Sequence, residues 1–243
     1  MKTLILIPAR MASLRFPNKP MAIIQNKPMI QWVWEKAIDS NLGEVIVACS
    51  EKEVHTCIKD LGGNAILTNP DLPSGTDRIF EAIKNVNVDS YDSIINLQGD
   101  MPLIKAEDIN KVNIPLTQGF DMGTLVTELS KDQINDINVT KAKVKWIKKN
   151  DIGAAYDFYK LEKFTNHNVY HHVGIYSFRY ETLRKFVLLP QSINEKTQKL
   201  EQLRAIDAKM TIGVSYVKNV PISVDTKEDL IKVNNLIKKY ESN

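Results

Sequence analysis

The chain has little of what builds several common kinds of site. Its 243 residues include only two cysteines, Cys49 and Cys57, too few for a disulfide framework and without zinc-ligand spacing. We expect both to be packing residues, one at the end of a strand and one within a helix. Neither a G-x-G-x-x-G fingerprint nor a Walker P-loop follows any predicted strand, which excludes the usual dinucleotide-binding site and the usual P-loop nucleotide site.

Charge of one sign and long apolar runs are also lacking. The chain carries 32 Lys and Arg against 29 Asp and Glu, and this net charge of +3 is too small to argue for a nucleic-acid partner. No apolar run is long enough to cross a bilayer, and no signal peptide precedes the first predicted strand. We therefore expect a soluble cytoplasmic protein without a membrane partner.

The order of the predicted elements indicates an α/β protein. In the first half, strands at 4–7, 44–49, 65–67 and 91–97 alternate with helices at 28–40, after a Ser50–Glu53 capping box, and at 74–86. Such alternation predicts βαβ units and a mostly parallel, Rossmann-like sheet. No repeat and no Pro-, Gly- or Ser-rich linker interrupts the chain, so we expect a single compact domain over 1–243.

The second half predicts a mixed-sheet extension with fewer helices between strands. Its predicted elements are strands at 122–129, 141–147, 171–178, 211–217 and 222–224, and helices at 180–189, 197–208 and from Thr226 onward. We expect this extension to hold a second substrate or a partner subunit.

The segment after the first strand is the strongest signal for a ligand. Four polar side chains fall there within ten residues: Arg10, Ser13, Arg15 and Lys19. The prolines of the segment prevent a regular helix, and the carboxyl end of a strand is where open α/β sheets bind ligands. Guanidinium and ammonium groups bind phosphate oxygens, so we predict a site for the phosphates of a nucleotide. The same segment could instead be a solvated basic loop.

Two aspartates are candidate ligands for Mg²⁺. Asp100 follows a strand that ends at Gln98 and Gly99, and magnesium uses few carboxylates together with substrate phosphates. Thr226 and Asp229 can cap the last helix between them, which leaves Asp225 free to complete the site. Asp100 can instead accept hydrogen bonds from the amides of its own turn, and Asp225 can instead cap the last helix. The sequence alone does not show whether the two carboxylates meet.

Other polar segments allow two interpretations each. Residues 74–78, Ser-Gly-Thr-Asp-Arg, begin a helix whose free amides suit an anion or a base edge, or they are a plain cap. His172 begins a strand and either contacts a polyol or is structural. Glu201 and Gln202 are either surface residues or ligands of sugar hydroxyls. Lys141 has no distinguishing feature by itself.

Taken together, these motifs resemble the 3-deoxy-D-manno-octulosonate (Kdo) cytidylyltransferase family, also called CMP-Kdo synthetase. The matching segments run through nearly the whole chain in order: 7–10 through 19–20, 27–30, 74–78, 96–100, 138–141, 172–176, 200–204 and 224–226. The set is specific, because glucose-1-phosphate-type nucleotidyltransferases have a glycine-rich first loop and lack the Leu-Glu-Gln-Leu-Arg segment.

The resemblance implies a nucleotidyltransferase sheet and an enzyme that transfers CMP from CTP to the anomeric hydroxyl of Kdo for lipopolysaccharide synthesis, releasing pyrophosphate. The CTP-binding residues implied are Pro8, Ala9, Arg10, Ser13, Arg15, Lys19, Ser74, Arg78 and Gln98, with Arg10, Lys19 and Asp100 catalytic. Sugar-acid contacts are implied for Lys141, His172, Glu201 and Gln202, and Mg²⁺ binding for Asp100 and Asp225. A homodimer is also implied, with a CTP-binding half at about 1–120 and a sugar-acid and dimerisation half at about 121–243.

Two positions depart from the family pattern. Met101 stands where glutamate usually follows Asp100, and the Tyr156–Lys160 segment lacks the arginine expected beside the sugar acid. The substrate can therefore be Kdo or a different ulosonic or nonulosonic acid. A nucleotide-sugar-dependent glycosyltransferase would use a D-x-D metal motif, and none stands beside the fourth strand. A non-catalytic nucleotide sensor would not need the two aspartates.

Overall fold

The computed structural model describes residues 1–12, 15–161, 168–219 and 221–241. Contacts divide the chain into two compact units. The first consists of Met1–Tyr91, Asn96–Ile109 and the C-terminal segment from Pro221, and the second of Asp92–Ile95 and Asn110–Val220. These bounds differ from the expected halves at about 1–120 and 121–243, because the C-terminal segment packs in the first unit. There Val224, Val233 and Ile237 share an apolar cluster with Ile24 and Met29.

The amino-terminal part alternates strands and helices as predicted, and a short hairpin that the sequence analysis missed follows the first strand. The elements are β1 (Thr3–Ala9), β2 (Ile23–Ile24), β3 (Lys27–Pro28), α1 (Met29–Asp39), β4 (Gly43–Cys49), α2 (Lys52–Asp60), β5 (Asn64–Leu67) and α3 (Gly75–Ala82). Short 3-10 helices lie at Lys19–Met21, Ile83–Asn85 and Val88–Ser90.

The rest of the described chain contains more antiparallel strands. Its elements are β6 (Ser93–Asn96), α4 (Ala106–Lys111), α5 (Ile114–Thr117), β7 (Met122–Thr127), β8 (Lys141–Lys148), β9 (Ile152–Tyr159), β10 (Val169–Phe178), α6 (Tyr180–Leu188), α7 (Ile193–Gln198), α8 (Leu203–Asp207), β11 (Ile212–Tyr216) and α9 (Lys227–Glu241). A 3-10 helix lies at Lys131–Gln133. Within the described ranges, every helix is too short or too polar to cross a membrane.

The sheet of the first unit is parallel, as predicted. Strands follow the order β5-β4-β1, and β1 pairs with β4 from Thr3 opposite Gly43 to Ala9 opposite Cys49. All seven residues of β1 are buried, which is typical of a central parallel strand covered by helices. Cys49 is buried at the end of β4, and burial raises the pKa of its thiol to about 12, in agreement with a packing role.

The strands of the second unit form the predicted mixed sheet, in the order β6-β10-β7-β11-β9-β8. Strand β10 is antiparallel to β7 and also pairs with β8, whereas β11 is parallel to β7 and antiparallel to β9. Strand β9 is not predicted from the sequence, because its first half, Ile-Gly-Ala-Ala, has low strand propensity. Pairing with β8 on one side and β11 on the other overrides that weak local preference.

Three local predictions were wrong. The helix predicted at 197–208 is two short helices, α7 and α8, separated where Lys199 adopts φ 55°. The Ser50–Glu53 capping box does not form, since α2 begins after Glu51 without a side-chain cap. Residues 222–224 are not a strand, and the amide of Val224 donates instead to the carbonyl of Asp100, at 2.8 Å.

A buried ion pair connects α7 to α8. The Arg204 guanidinium donates to both carboxylate oxygens of Glu195, at 2.9 and 2.6 Å, with both side chains about 95% buried. Glu195 also completes a capping box with Ser192 at the start of α7. This pair therefore positions the Leu200–Gln202 turn between the two helices.

Replacing Glu195 with alanine should lower the free energy of unfolding by about 3 kcal/mol, because the buried Arg204 charge loses its bidentate partner. The matched control is Glu181→Ala, which breaks an exposed pair with Arg184 (3.4 Å) and should cost less than about 1 kcal/mol. Urea unfolding of both variants measures the difference. Equal losses would contradict a structural role for the Glu195–Arg204 pair.

Candidate active site

A pocket of about 700 Å³ lies in the first unit, at the carboxyl end of β1. This volume is in the range of small-molecule sites. Its lining includes eight of the nine predicted CTP residues: Pro8, Ala9, Arg10, Arg15, Lys19, Ser74, Arg78 and Gln98. The ninth, Ser13, lies outside the described residues. Both predicted metal ligands, Asp100 and Asp225, also line the pocket.

Two glycines let the walls of the pocket come together. A Cβ atom on Gly99 would lie 2.9 Å from the carbonyl oxygen of Pro8, so only glycine fits at the place where the segment after β6 passes the end of β1. A Cβ atom on Gly75 would lie 3.1 Å from the Pro8 ring, and any side chain there would narrow the pocket. The start of α3 and the Gln98–Asp100 segment thus both lie against Pro8.

Lys19 lies between the two predicted metal ligands. Its ammonium donates to Asp100 Oδ2 at 2.7 Å and to Asp225 Oδ1 at 3.2 Å. Burial lowers the pKa of Lys19, but the charges and hydrogen bonds of Asp100 and Asp225 outweigh burial and raise that pKa above its ordinary value. The two carboxylates, 125 residues apart in the chain by their numbers, therefore do meet in space.

Asp225 points to the pocket because its neighbours cap α9. The Thr226 hydroxyl accepts from the amide of Asp229 at 3.2 Å, and the Asp229 carboxylate accepts from the amide of Thr226 at 3.1 Å. This is the predicted reciprocal cap, so the Asp225 side chain is not used for capping. It accepts from Lys19 and, at 3.1 Å, from Arg15.

The start of α3 is both a helix cap and a wall of the pocket. Ser74 Oγ accepts from the amide of Asp77 at 3.0 Å. This is the helix cap that was one of the two interpretations of residues 74–78. Arg78 is buried and donates to Thr68 Oγ1 at 2.6 Å and to the carbonyl of Asn69 at 3.2 Å. Burial lowers the pKa of Arg78. This guanidinium therefore fixes the segment after β5 in addition to lining the pocket.

Two predicted sugar-acid residues are buried in the second unit. The Lys141 ammonium donates to the backbone carbonyls of Asp136 and Lys160, at 2.5 and 2.7 Å. His172 Nε2 lies 3.0 Å from the hydroxyl of Thr124, and its ring packs edge-on against Phe158. Burial, followed by the neighbouring His171, lowers the pKa of His172 to about 3. His172 is thus neutral at physiological pH.

The remaining two predicted residues lie in the turn between α7 and α8. Gln202 is buried. Glu201 affects Tyr176 on β10: burial of the Tyr176 hydroxyl, followed by the negative charge of Glu201, raises the pKa of Tyr176. Arg204 holds this turn through Glu195, and its guanidinium lies 4.8 Å from the centre of the Phe186 ring. This role of Arg204 is not predicted from the sequence, although the Ser192–Glu195 capping pattern was a signal for its partner.

The donor set at Lys19 fits a hard divalent cation. Asp100 and Asp225 already hold one cation between them, and carboxylates with substrate phosphates are the ligands that Mg²⁺ prefers. Among the residues that the structure describes, three or more His, Cys, Asp or Glu never cluster in a geometry that could hold a metal. A metal here would therefore take most of its ligands from substrate and water.

A parallel α/β sheet with cationic side chains at the end of its first strand and two carboxylates beside them is suited to the phosphates of a nucleotide, and comparison with known proteins identifies the class of protein as a nucleotidyltransferase. A family model described as "Cytidylyltransferase" matches residues 4–212. A 3-deoxy-manno-octulosonate cytidylyltransferase of Paramagnetospirillum magneticum is 41% identical over 239 residues, 97% of each chain. Another, of Parvibaculum lavamentivorans, is 40% identical over 94% of this chain and 90% of its own.

Solved structures agree. The structure of CMP:2-keto-3-deoxy-manno-octonic acid synthetase complexed with CTP superposes with a TM-score of 0.88 at 33% identity, over 99% of this chain and 100% of that one. UDP-glucose pyrophosphorylase complexed with UDP-glucose shares the fold, with a TM-score of 0.72 at 14% identity over 99% of this chain and 100% of that one. The chain belongs to the cytidylyltransferase family, and within it to the 3-deoxy-manno-octulosonate cytidylyltransferases.

The buried His172 predicts a specific dependence of stability on pH. In the unfolded chain a histidine titrates near pH 6.5, so below that pH the unfolded state takes up a proton that folded His172 does not. The stability contributed by neutral His172 is present above pH 6.5 and is lost as the pH falls toward about 3.

The variant His172→Gln should therefore lose less stability between pH 6 and 4.5, by about 1.4 kcal/mol per pH unit relative to the wild type. Urea unfolding across the pH range measures both slopes. Between pH 7.5 and 8.5 the slopes should coincide, which is the internal control. Identical slopes below pH 6 would contradict a depressed pKa for His172.

Proposed function

We propose that this protein transfers CMP from CTP to the anomeric hydroxyl of Kdo, releases pyrophosphate, and so activates Kdo for lipopolysaccharide synthesis. The observation that carries the proposal is the convergence of Arg10, Arg15 and Lys19 with Asp100 and Asp225 on one pocket. The CTP complex of the synthetase that superposes on this chain supports CTP as the nucleotide. The relatives' names support Kdo as the acceptor.

In the proposed reaction the anomeric oxygen of Kdo attacks the α-phosphorus of CTP in line. The bond from that phosphorus to the oxygen bridging to the β-phosphorus breaks, and pyrophosphate leaves. Arg10, Arg15 and Lys19 bind the triphosphate and stabilise the charge that develops on the leaving group. Ser13, in the same segment, is assigned to the triphosphate by the family resemblance. Transfer of this kind depends on positioning and electrostatics rather than on a covalent intermediate with the protein.

We assign Mg²⁺ as the cofactor, with Asp100 and Asp225 as its protein ligands. When bound, it would supply positive charge at the phosphates of CTP. Pro8 and Ala9, at the end of β1, are assigned to the nucleotide, and Ser74, Arg78 and Gln98 to its cytidine. Gln98 is held by its amide, which donates to Asn96 Oδ1 at 3.1 Å, so its carbonyl oxygen is oriented independently of substrate.

Lys141, His172, Glu201 and Gln202 are assigned to the sugar acid. Of these, Lys141 acts through the Asp136 and Lys160 carbonyls that its ammonium holds, since those two bonds already satisfy two of its three donors. Neutral His172 can exchange only hydrogen bonds, not charge, with a substrate carboxylate. Charge pairing with that carboxylate would therefore come from Lys141 or from another cation of the site, and not from His172.

A different ulosonic or nonulosonic acid is the second candidate acceptor. The segment Tyr156–Lys160 lacks the family arginine, and most of it forms the end of β9 beside His172. Asp157 pairs there with Lys143, whose ammonium lies 3.2 Å from the Asp157 carboxylate. This altered segment favours testing other acids. We further propose that the protein acts in the cytoplasm as a homodimer, as the family resemblance implies.

Pyrophosphate release tests the acceptor. With CTP and Mg²⁺ present, release should require Kdo and should be slower with each other ulosonic acid in a panel, because an acceptor that lacks an expected hydroxyl leaves buried polar groups of the site unpaired. A coupled phosphate assay measures it, with CTP alone as the control. If release is fastest with another acid, that acid is the acceptor, and the assignments of CTP and the metal are unaffected.

Asp100→Asn should lower turnover on the order of 100-fold or more while changing CTP affinity much less, because the carboxylate would hold a cation that supplies positive charge at the reacting phosphates. The matched control is Asp39→Asn, which removes the same charge from an exposed ion pair with Lys36 outside the pocket. Steady-state kinetics and CTP titration separate the two quantities. Near-full turnover of Asp100→Asn at ordinary Mg²⁺ would contradict the assignment.

A further inference from the structure

The ammonium of Lys19 lies where a divalent cation would contact the protein. It touches both carboxylates that the proposed function assigns to Mg²⁺, at 2.7 and 3.2 Å. The Lys19 side chain is only 16% exposed and that of Asp100 only 23%, so solvent screens this contact poorly. The contact therefore amounts to a cation site already filled by a side chain of the protein.

A second cation on the same pair of carboxylates is disfavoured, because its repulsion from the Lys19 ammonium would offset much of its attraction to the carboxylates. In the described part of the chain no third acidic, histidine or cysteine side chain joins the pair in a metal-binding cluster. A divalent ion approaching the nucleotide-free protein thus meets two carboxylates whose charge is already partly offset by the Lys19 ammonium. A triphosphate would change this, because its oxygens offer the ammonium another anion within the same pocket.

Arg15 is the other cation at this site, and it differs from Lys19. It donates to Asp225 Oδ1 at 3.1 Å, but its side chain is 62% exposed. An exposed ion pair of this kind is weak and is easily exchanged for water. Lys19 alone bridges Asp100 and Asp225 among the ion pairs of the described residues, so it is the group that a metal must displace.

We propose that Lys19 is an internal competitor of the divalent metal: it blocks metal binding in the nucleotide-free protein and leaves the carboxylates when a triphosphate accepts its ammonium. The proposal rests on the proposed function for the identity of the nucleotide and the metal. It makes metal and nucleotide binding mutually favourable, and by linkage each must strengthen the other by the same factor. Lys19 would then set the order of loading as well as bind phosphate.

The first experiment measures Mn²⁺ binding to the nucleotide-free protein, with free Mn²⁺ followed by electron paramagnetic resonance. Lys19→Met keeps the length of the side chain and removes the charge. It should bind Mn²⁺ at least about 5-fold more tightly than the wild type, the lower end of ordinary coupling between sites. The matched control is Lys27→Met, which removes the same charge from an ion pair with Glu35 (2.8 Å) outside the pocket.

The expected result is a gain for Lys19→Met that Lys27→Met does not share and that the double variant with Asp100→Asn loses. Mn²⁺ should also raise the melting temperature of Lys19→Met more than that of the wild type, since it binds only the folded site. Equal or weaker Mn²⁺ binding by Lys19→Met, an equal gain in Lys27→Met, or no binding by either protein would overturn the proposal. If Lys19→Met does not fold, Lys19→Gln provides the same comparison.

A second measurement compares how strongly Mn²⁺ enhances CTP binding in the wild type and in Lys19→Met. Complex formation between Mn²⁺ and CTP in solution is common to both titrations, so it cancels in their ratio. The enhancement should be larger in the wild type, and equal enhancement would overturn the coupling. Failure of the proposed function is distinguishable: if CTP releases no pyrophosphate with any acceptor, the nucleotide-free Mn²⁺ result still decides the role of Lys19.

Discussion

The contact of Lys19 with Asp100 and Asp225 is the constraint on which the pocket depends. Each residue comes from a different part of the chain: the segment after β1, the segment after β6 and the turn before α9. The Lys19 ammonium contacts both carboxylates and so offsets the repulsion between their like charges. The approach also needs Gly99, where a side chain would collide with the Pro8 carbonyl, and the Val224 amide, which donates to the Asp100 carbonyl.

Buried cations perform a second task in this protein, which is to hold loops. Arg78 donates to the segment after β5, Lys141 to the carbonyls of Asp136 and Lys160, and Arg204 to Glu195 across the turn between α7 and α8. Each would be costly to bury alone, and each is satisfied by carbonyl or carboxylate oxygens. Loops that are fixed in this way present their side chains without a further ordering cost when a ligand binds.

The division of roles between groups follows from their burial. The cations at the rim of the pocket, Arg10 and Arg15, are exposed and suited to capturing a polyanion from solvent. Lys19 lies deeper and already has carboxylate partners, so its ammonium is positioned before any ligand arrives. In the second unit, His172 and Gln202 are buried and uncharged at physiological pH, which favours recognition by hydrogen bonds over recognition by charge.

The sequence by itself determined the parallel strands of the first unit, the basic segment after β1 and the Thr226–Asp229 cap, because apolar runs and capping patterns act over a few residues. It did not reveal β9, whose weak local propensity is overridden by its two neighbouring strands, or the break at Lys199, where the Glu195–Arg204 pair holds the turn. Only the tertiary structure decided that Asp100 and Asp225 meet on Lys19. Contacts between residues so far apart in the chain depend on how the whole unit packs, and no local pattern encodes them.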